Sequence, residues 1–309
     1  MATIQIFVCG YYGFGNTGDE VILAGIHHAW GTVLREDLQL HVTSGGGPLD
    51  VPAVPVPWQD VEAIRRAVSQ ADLVVVGGGG LFQDYWGVDR ATLGTPRHHS
   101  VTFYAWPLLL AAEYGVPSLV WAVGVGPLTS HEGRSLVREA LAAASWVSVR
   151  DRASAALLSE LGLPAPVEVV PDAAWAAPPR HWDRAAVLAE MGLPASHRLV
   201  AVALRRWPHE EVPARRTVVD ALRRLGDRVS VGVALVPFHL GSGRDDDAGA
   251  AAEVAAELAG RVPCWVVPPS RGVCGALLAL RRRRPHPGHA AARLPGGVPR
   301  REKPSGPRV

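Results

Sequence analysis

Two arginines that follow short apolar runs are the residues in this sequence best suited to holding an anion. Arg150 lies in Trp146-Val147-Ser148-Val149-Arg150-Asp151-Arg152-Ala153-Ser154, and Arg205 in Leu204-Arg205-Arg206-Trp207. A guanidinium offers a planar fork of donors that matches a carboxylate or a phosphate. Arginines from two halves of one chain therefore suit a dianionic, carboxylated small molecule. The plainer reading of the first segment is a surface patch in which Asp151 caps the following helix.

Two glycine-rich segments offer backbone rather than side chains. In the first, Cys9-Gly10-Tyr11-Tyr12-Gly13-Phe14-Gly15-Asn16-Thr17-Gly18-Asp19-Glu20, glycines permit close approach and a following helix start presents free N–H groups to an anion. Gly13, Gly15 and Gly18 formally satisfy the dinucleotide fingerprint. Against that reading, Tyr11 and Tyr12 separate the strand from the glycines, and the second strand ends at Thr43-Ser44 without a ribose-binding acid. Asp19 has two open readings, a first-turn residue favoured by the helix dipole or a carboxylate that touches an acceptor or moves a proton. The second segment runs Asp72-Leu73-Val74-Val75-Val76-Gly77-Gly78-Gly79-Gly80-Leu81-Phe82-Gln83-Asp84. Its glycines either aim N–H groups at an oxyanion or simply make a tight strand-to-helix turn. Asp84 contacts a sugar hydroxyl or solvates its loop. Asn16, Gly78, Gly79 and Asp84 join Arg150 and Arg205 as candidate binding residues.

Positioning such residues takes strands that deliver them to one edge. Apolar runs at Ile4–Cys9, Leu38–Thr43, Leu73–Val76, Ser118–Val123, Trp146–Val149 and Val167–Val170 alternate with helical patterns, among them Val21–Trp30, Tyr104–Tyr114, Gly133–Ala144 and Ala153–Leu161. This is the signature of parallel βαβ units, whose ligands sit at the strand carboxyl ends. Residues 173–179 read as a linker. A second alternation follows, with helices Ala185–Met191, Arg215–Leu225 and Ala248–Ala259 and strands Leu199–Leu204, Val229–Pro237 and Cys264–Val267. The expected organisation is an α/β protein with two Rossmann-like domains facing across a cleft, 1–175 and 180–268, the second incomplete, followed by a basic tail over 269–309.

The chain has 309 residues, 48% of them apolar, enough for two cores. From Arg271 onward ten Arg or Lys face one acid, Glu302, so the totals of 31 basic and 29 acidic residues leave 21 and 28 before it. An acidic body thus carries a basic tail. Cys9, Cys264 and Cys274 have neither disulfide nor zinc spacing, and no metal is expected. The N-terminus lacks a leader pattern and no segment reaches spanning length, so the expected location is cytoplasmic.

In order, GYYGFGNTGDE, DLVVVGGGGLFQD, VGVGPL, SVRDRAS, VVPDAAW and ALRRW resemble the polysaccharide pyruvyl transferase family, particularly its CsaB-like branch acting on cell-wall polysaccharide. The match runs from Ile4 through Pro268 and includes Val236-Pro237-Phe238-His239. The resemblance implies a GT-B-like fold and transfer of pyruvyl from phosphoenolpyruvate to a sugar as a cyclic ketal. It implies Asp19 near the acceptor or in proton transfer, and Arg150 and Arg205 holding phosphoenolpyruvate. The implied partners are that donor and a lipid-linked or polymeric sugar, with membrane contact only through the lipid. No cofactor beyond the donor substrate is implied.

The family's Arg-Leu-His element, expected after Val267, is missing, which puts catalysis by the chain as written in question. Residues 266–309 hold no Phe, Trp, Tyr or Asp, although all ten tryptophans precede them. A reading-frame shift near Ser270 in GC-rich coding accounts for that composition. A basic nucleic-acid arm is the rival, but interleaved aromatics are lacking and no nucleic acid is expected. Two other functions stand beside pyruvyl transfer, a GT-B glycosyltransferase using a nucleotide sugar and a non-catalytic glycan-binding relic. Trp58, Trp86, Trp106 and Trp207 either stack on sugar or fill the core, and each taken singly is expected in the core.

Overall fold

The structure is a computed structural model that describes residues 3–34, 37–164, 166–178, 183–195, 198–205, 211–240 and 246–268. They fall into two compact units. The first holds the residues up to Tyr12 and Ile22–Ala177, and the second holds Gly13–Val21 and the described residues from Pro178 onward.

Seven strands form the sheet of the first unit: β1 (Ile4–Cys9), β2 (Leu38–Ser44), β3 (Val54–Pro57), β4 (Leu73–Gly77), β5 (Ser118–Val123), β6 (Trp146–Val149) and β7 (Val167–Val169). All pairings are parallel, in the order β3-β2-β1-β4-β5-β6-β7. Every residue of β4 and β5 is buried, because helices cover both faces of a parallel sheet and leave these central strands no polar side. The covering helices are α1 (Thr17–Leu34), α2 (Val61–Gln70), α3 (Val101–Tyr114), α4 (His131–Ala143) and α5 (Arg152–Glu160). One apolar cluster gathers Ile64, Leu108, Leu136 and Val147 and another gathers Ile22, Ile26, Leu40 and Trp121. Strand order reverses between β1 and β4, and the crevice at such a switch point is where open α/β sheets bind ligands.

Three features depart from the sequence expectation. Val54-Pro55-Val56-Pro57 is a strand, paired from His41↔Val54 to Ser44↔Pro57, and it escapes sequence reading because its prolines argue against a strand except at a sheet edge. Helix α1 starts at Thr17, four residues early, because Asn16 Oδ1 accepts the N–H groups of Gly18 (2.9 Å) and Asp19 (3.4 Å) and caps the helix. The segment read as a linker contains a short 3-10 helix, Ala173–Ala176, capped by Asp172. It packs so closely on α1 that a Cβ added to Gly25 would lie 1.9 Å from the Ala173 carbonyl oxygen.

In the second unit, β8 (Leu199–Val202), β9 (Gly232–Leu235) and β10 (Cys264–Val266) form a parallel sheet ordered β10-β9-β8. Its helices are α6 (Arg184–Glu190), α7 (Glu211–Gly226) and α8 (Asp247–Leu258). Val219, Val233, Leu235 and Val254 pack in one cluster, and Val187, Met191, Ala234 and Val236 in another. Arg206, Trp207 and the tail from Pro269, with the frame-shift expectation attached to it, lie outside the described residues. Among the described residues no helix is long and apolar enough to cross a membrane.

Candidate functional site

Arg150 leaves β6 at its carboxyl end with its N–H on the Val123 carbonyl (3.1 Å). Its guanidinium lies over two glycine turns. A Cβ added to Gly124 would sit 3.1 Å from both Nε and Nη2, and one added to Gly80 would sit 3.6 Å from Nη2. Nη1 donates to Asp172 Oδ2 at 3.0 Å, and Nε stands 4.0 Å from Asp151 Oδ2. Asp172 is itself fixed, since its Oδ1 accepts the Ala174 N–H at 2.9 Å. The fork is therefore held from one side while Nη2 stays beside the glycines. The guanidinium is about one-third exposed, open enough to meet an anion from solvent.

A bulge sets this geometry. The β5–β6 register shifts between Val120 and Val123, and Ala122 takes φ 52°. Ser148 supports the distortion, its Oγ accepting the Ala122 N–H (3.0 Å) and donating to the Val120 carbonyl (3.2 Å). A bulge of this kind re-aims the residues after it, here Val123 and Gly124, beneath the Arg150 side chain. Asp151 caps α5 through the Ser154 N–H (2.8 Å), and Ser154 Oγ accepts the Val125 N–H (2.9 Å). The segment SVRDRAS thus supplies a bulge support, a candidate anion ligand, a helix cap and a loop tie.

The tetraglycine turn divides its work. Gly78 and Gly79 take φ 77° and 78°. The Gly78 N–H is spent on the Trp121 carbonyl (3.2 Å), and a Cβ there would lie 1.8 Å from Ile22 Cγ2, so Gly78 serves packing. For Gly78, of the two readings of this turn, the tight-turn one describes the geometry. Gly79 accepts the Gly124 N–H (2.8 Å), while among the described residues the N–H groups of Gly79 and Gly80 meet no acceptor. Those two N–H groups and Arg150 Nη2 are the donors this edge can give an anion.

Asp84 does not solvate its loop. It is buried, and its carboxylate accepts the Thr129 N–H (2.8 Å), the Ser130 N–H (2.6 Å) and both hydroxyls, fastening the turn before α4. Burial alone would raise its pKa, but the hydrogen bonds from Ser130 and Thr129 outweigh burial and hold it below the ordinary carboxylate value. Cys9 is buried without charge partners, and desolvation pushes its thiol up to about 12.

Asn16, Asp19 and Arg205 belong to the second unit. Asp19 is half-buried in the first turn of α1, where the dipole favours a carboxylate. Thr17 N–H donates to the Phe238 carbonyl (2.9 Å), Leu240 N–H to the Gly15 carbonyl (3.0 Å), and Asn16 bridges His239. Asp247, almost fully buried, receives the His239 N–H at 2.8 Å. Gly15–Thr17 and Phe238–Leu240 are therefore stitched together inside that unit. Arg205 is exposed, three residues past the end of β8.

Asp172, Gly124 and Ala122 were not singled out from sequence. The segments VVPDAAW and VGVGPL carried the signal for the first two, and nothing local announces the bulge at Ala122. Among the described residues no three His, Cys, Asp or Glu side chains gather as a metal site.

The sequence model of the polysaccharide pyruvyl transferases matches residues 16–228. The chain belongs to that family, a family of transferases. A search among curated proteins gives no match. Among solved structures, the S. aureus MnaA–UDP co-structure is similar, with 14% identity, TM-score 0.52, and coverage of 91% of this chain and 71% of that one. A protein of Listeria monocytogenes described as a UDP-N-acetylglucosamine 2-epimerase gives 14%, 0.50, 88% and 71%. At such identity the likeness is one of fold, and it makes the fold GT-B-like.

Proposed function

We propose that this transferase moves a pyruvyl group from phosphoenolpyruvate to a sugar of a surface or cell-wall polysaccharide, with Arg150 as the donor's anchor. The observation that carries the reading is the Arg150 guanidinium, fixed by Asp172 and laid over Gly80 and Gly124 at the strand carboxyl ends. Phosphoenolpyruvate is small, carboxylated and multiply charged, which suits one guanidinium beside two backbone N–H groups. Arg205 is assigned to the same donor by family resemblance, and Asp19 to the acceptor hydroxyl or to proton transfer.

The chemistry needs a proton on the methylene end of the enol. A sugar hydroxyl then adds to the carbon that bears the phosphate, phosphate leaves, and a second hydroxyl closes the ketal. Fixed cationic donors meet the developing charge without reorganising, so the binding groups also carry part of the catalysis.

The test compares the chain as given with a chimera in which residues 269–309 are replaced by the Arg-Leu-His-bearing C-terminus of a family member. Phosphate release from the chimera that requires both phosphoenolpyruvate and a glycan, with a new ketal methyl signal in proton NMR, supports the reading. Release by neither chain, together with calorimetric binding of uridine diphosphate, would move the assignment to a nucleotide-sugar enzyme.

A further inference from the structure

Tryptophans of the first unit mostly fill its core: Trp30 is 3%, Trp106 6% and Trp121 8% exposed. Trp86 is 50% exposed and its neighbour Tyr85 39%, whereas Leu81 and Phe82, separated from them by Gln83 and Asp84, are at 2% and 0%. This pair does not sit on a loose loop. Phe82 bridges Val125, its carbonyl accepts the Gly126 N–H (2.7 Å), and the Asp84 N–H donates to the Pro127 carbonyl (3.1 Å). The Gln83 carbonyl takes the Ser100 hydroxyl (2.7 Å), and Gly87 N–H closes the turn on the Asp84 carbonyl (3.0 Å). The buried Asp84 carboxylate then pins the base of the turn to Thr129 and Ser130. A rigid turn thus presents two large aromatic side chains to water on both sides of which the backbone is fastened.

The turn continues directly from the anion site. Gly80 neighbours Arg150, and Tyr85 follows five residues later, at most about 18 Å away even along a fully extended chain. That reach is the span of a short oligosaccharide. A pyranose has a face of C–H bonds and a rim of hydroxyls, which matches a flat ring whose face is electron-rich and whose edge is polar. Holding such rings in place beforehand also lowers the ordering cost of a weak, polar ligand.

We propose that Tyr85 and Trp86 form a stacking platform for a pyranose of the acceptor glycan, a few sugar residues from the hydroxyls that react. The inference rests on the pyruvyl-transfer reading for its acceptor, and its test is separate. Saturation-transfer NMR on the full chain uses four probes, the methyl β-pyranosides of glucose, galactose, mannose and N-acetylglucosamine. At least one is expected to show saturation concentrated on its ring C–H protons. Trp86→Ala is expected to reduce that signal at least fivefold with an unchanged thermal melt, Trp86→Phe to keep most of it, and Trp175→Ala, which removes the other strongly exposed tryptophan of this unit, to leave it intact. Absence of saturation for all four probes, equal signals for wild type and Trp86→Ala, or loss in Trp175→Ala instead would overturn the platform. So would sedimentation showing self-association that Trp86→Ala abolishes, because a second copy would then cover the pair. Sugar saturation without any phosphoenolpyruvate binding by the wild type would sink the donor assignment and leave the platform standing.

Discussion

Arg150 is useful because of what surrounds it more than because of its charge. Its anchor on Asp172 leaves Nη2 over Gly80 and Gly124, and a Cβ at Gly124 would crowd it while one at Gly80 would only touch it. Arg150→Gln should abolish measurable phosphoenolpyruvate binding while the melting temperature holds, since the residue is a strand-end surface group. Gly124→Ala places a methyl 3.1 Å from Nε and Nη2, so the guanidinium must shift by tenths of an ångström. A several-fold loss of donor affinity with little change in stability is the expected result of that titration. Asp84 acts on stability instead. Its folded pKa is depressed, so its contribution is complete above the ordinary carboxylate value and is lost as pH falls through the lowered folded value. Asp84→Ala should cost about 2–3 kcal/mol at neutral pH in denaturant unfolding, the range for losing hydrogen bonds to a charged group. The variant should also lack that part of the wild type's acid sensitivity. From sequence the position of Arg150 at the carboxyl end of β6 was legible because a short apolar run leads straight into it. The fastening role of Asp84 was not legible because its partners, Thr129 and Ser130, lie 45 and 46 residues away.

Between residue and fold stand the strand-to-helix turns, and these set which glycines are replaceable. Gly78 combines a positive φ with an Ile22 contact that a Cβ would violate. Gly78→Ala should destabilise the chain by on the order of 2–4 kcal/mol, the sum of a left-handed backbone and an overpacked contact. In an Ile22→Ala background the Gly78→Ala penalty should shrink to its backbone part, which thermal melts of both single variants and the double variant would resolve. Helices and central strands were legible because their apolar runs are long and bounded by caps or glycine. The edge strand Val54–Pro57 was not, since its two prolines carry the local signal of a loop and only its pairing with β2 makes it a strand. The bulge at Ala122 was hidden for a similar reason, because it is stabilised by Ser148 on the neighbouring strand.

At the scale of the whole molecule, two α/β units were legible from the repeated strand–helix alternation. The assignment of Gly13–Val21 to the second unit was not, since it depends on backbone bonds to Phe238 and Leu240 more than 200 residues away. In a fragment ending at Ala177 the Thr17 N–H loses the Phe238 carbonyl, and its amide should exchange faster than in the full chain. Equal protection in both would contradict that assignment. A similar fold occurs in proteins at 14% identity, so fold alone does not choose a donor substrate. The choice rests on the anion site proposed at Arg150. Its most direct measurement is a calorimetric titration of the 309-residue chain and of Arg150→Gln with phosphoenolpyruvate. Saturable binding by the wild type that the variant lacks is the predicted result. Equal binding by both, or none by the wild type, would contradict the account.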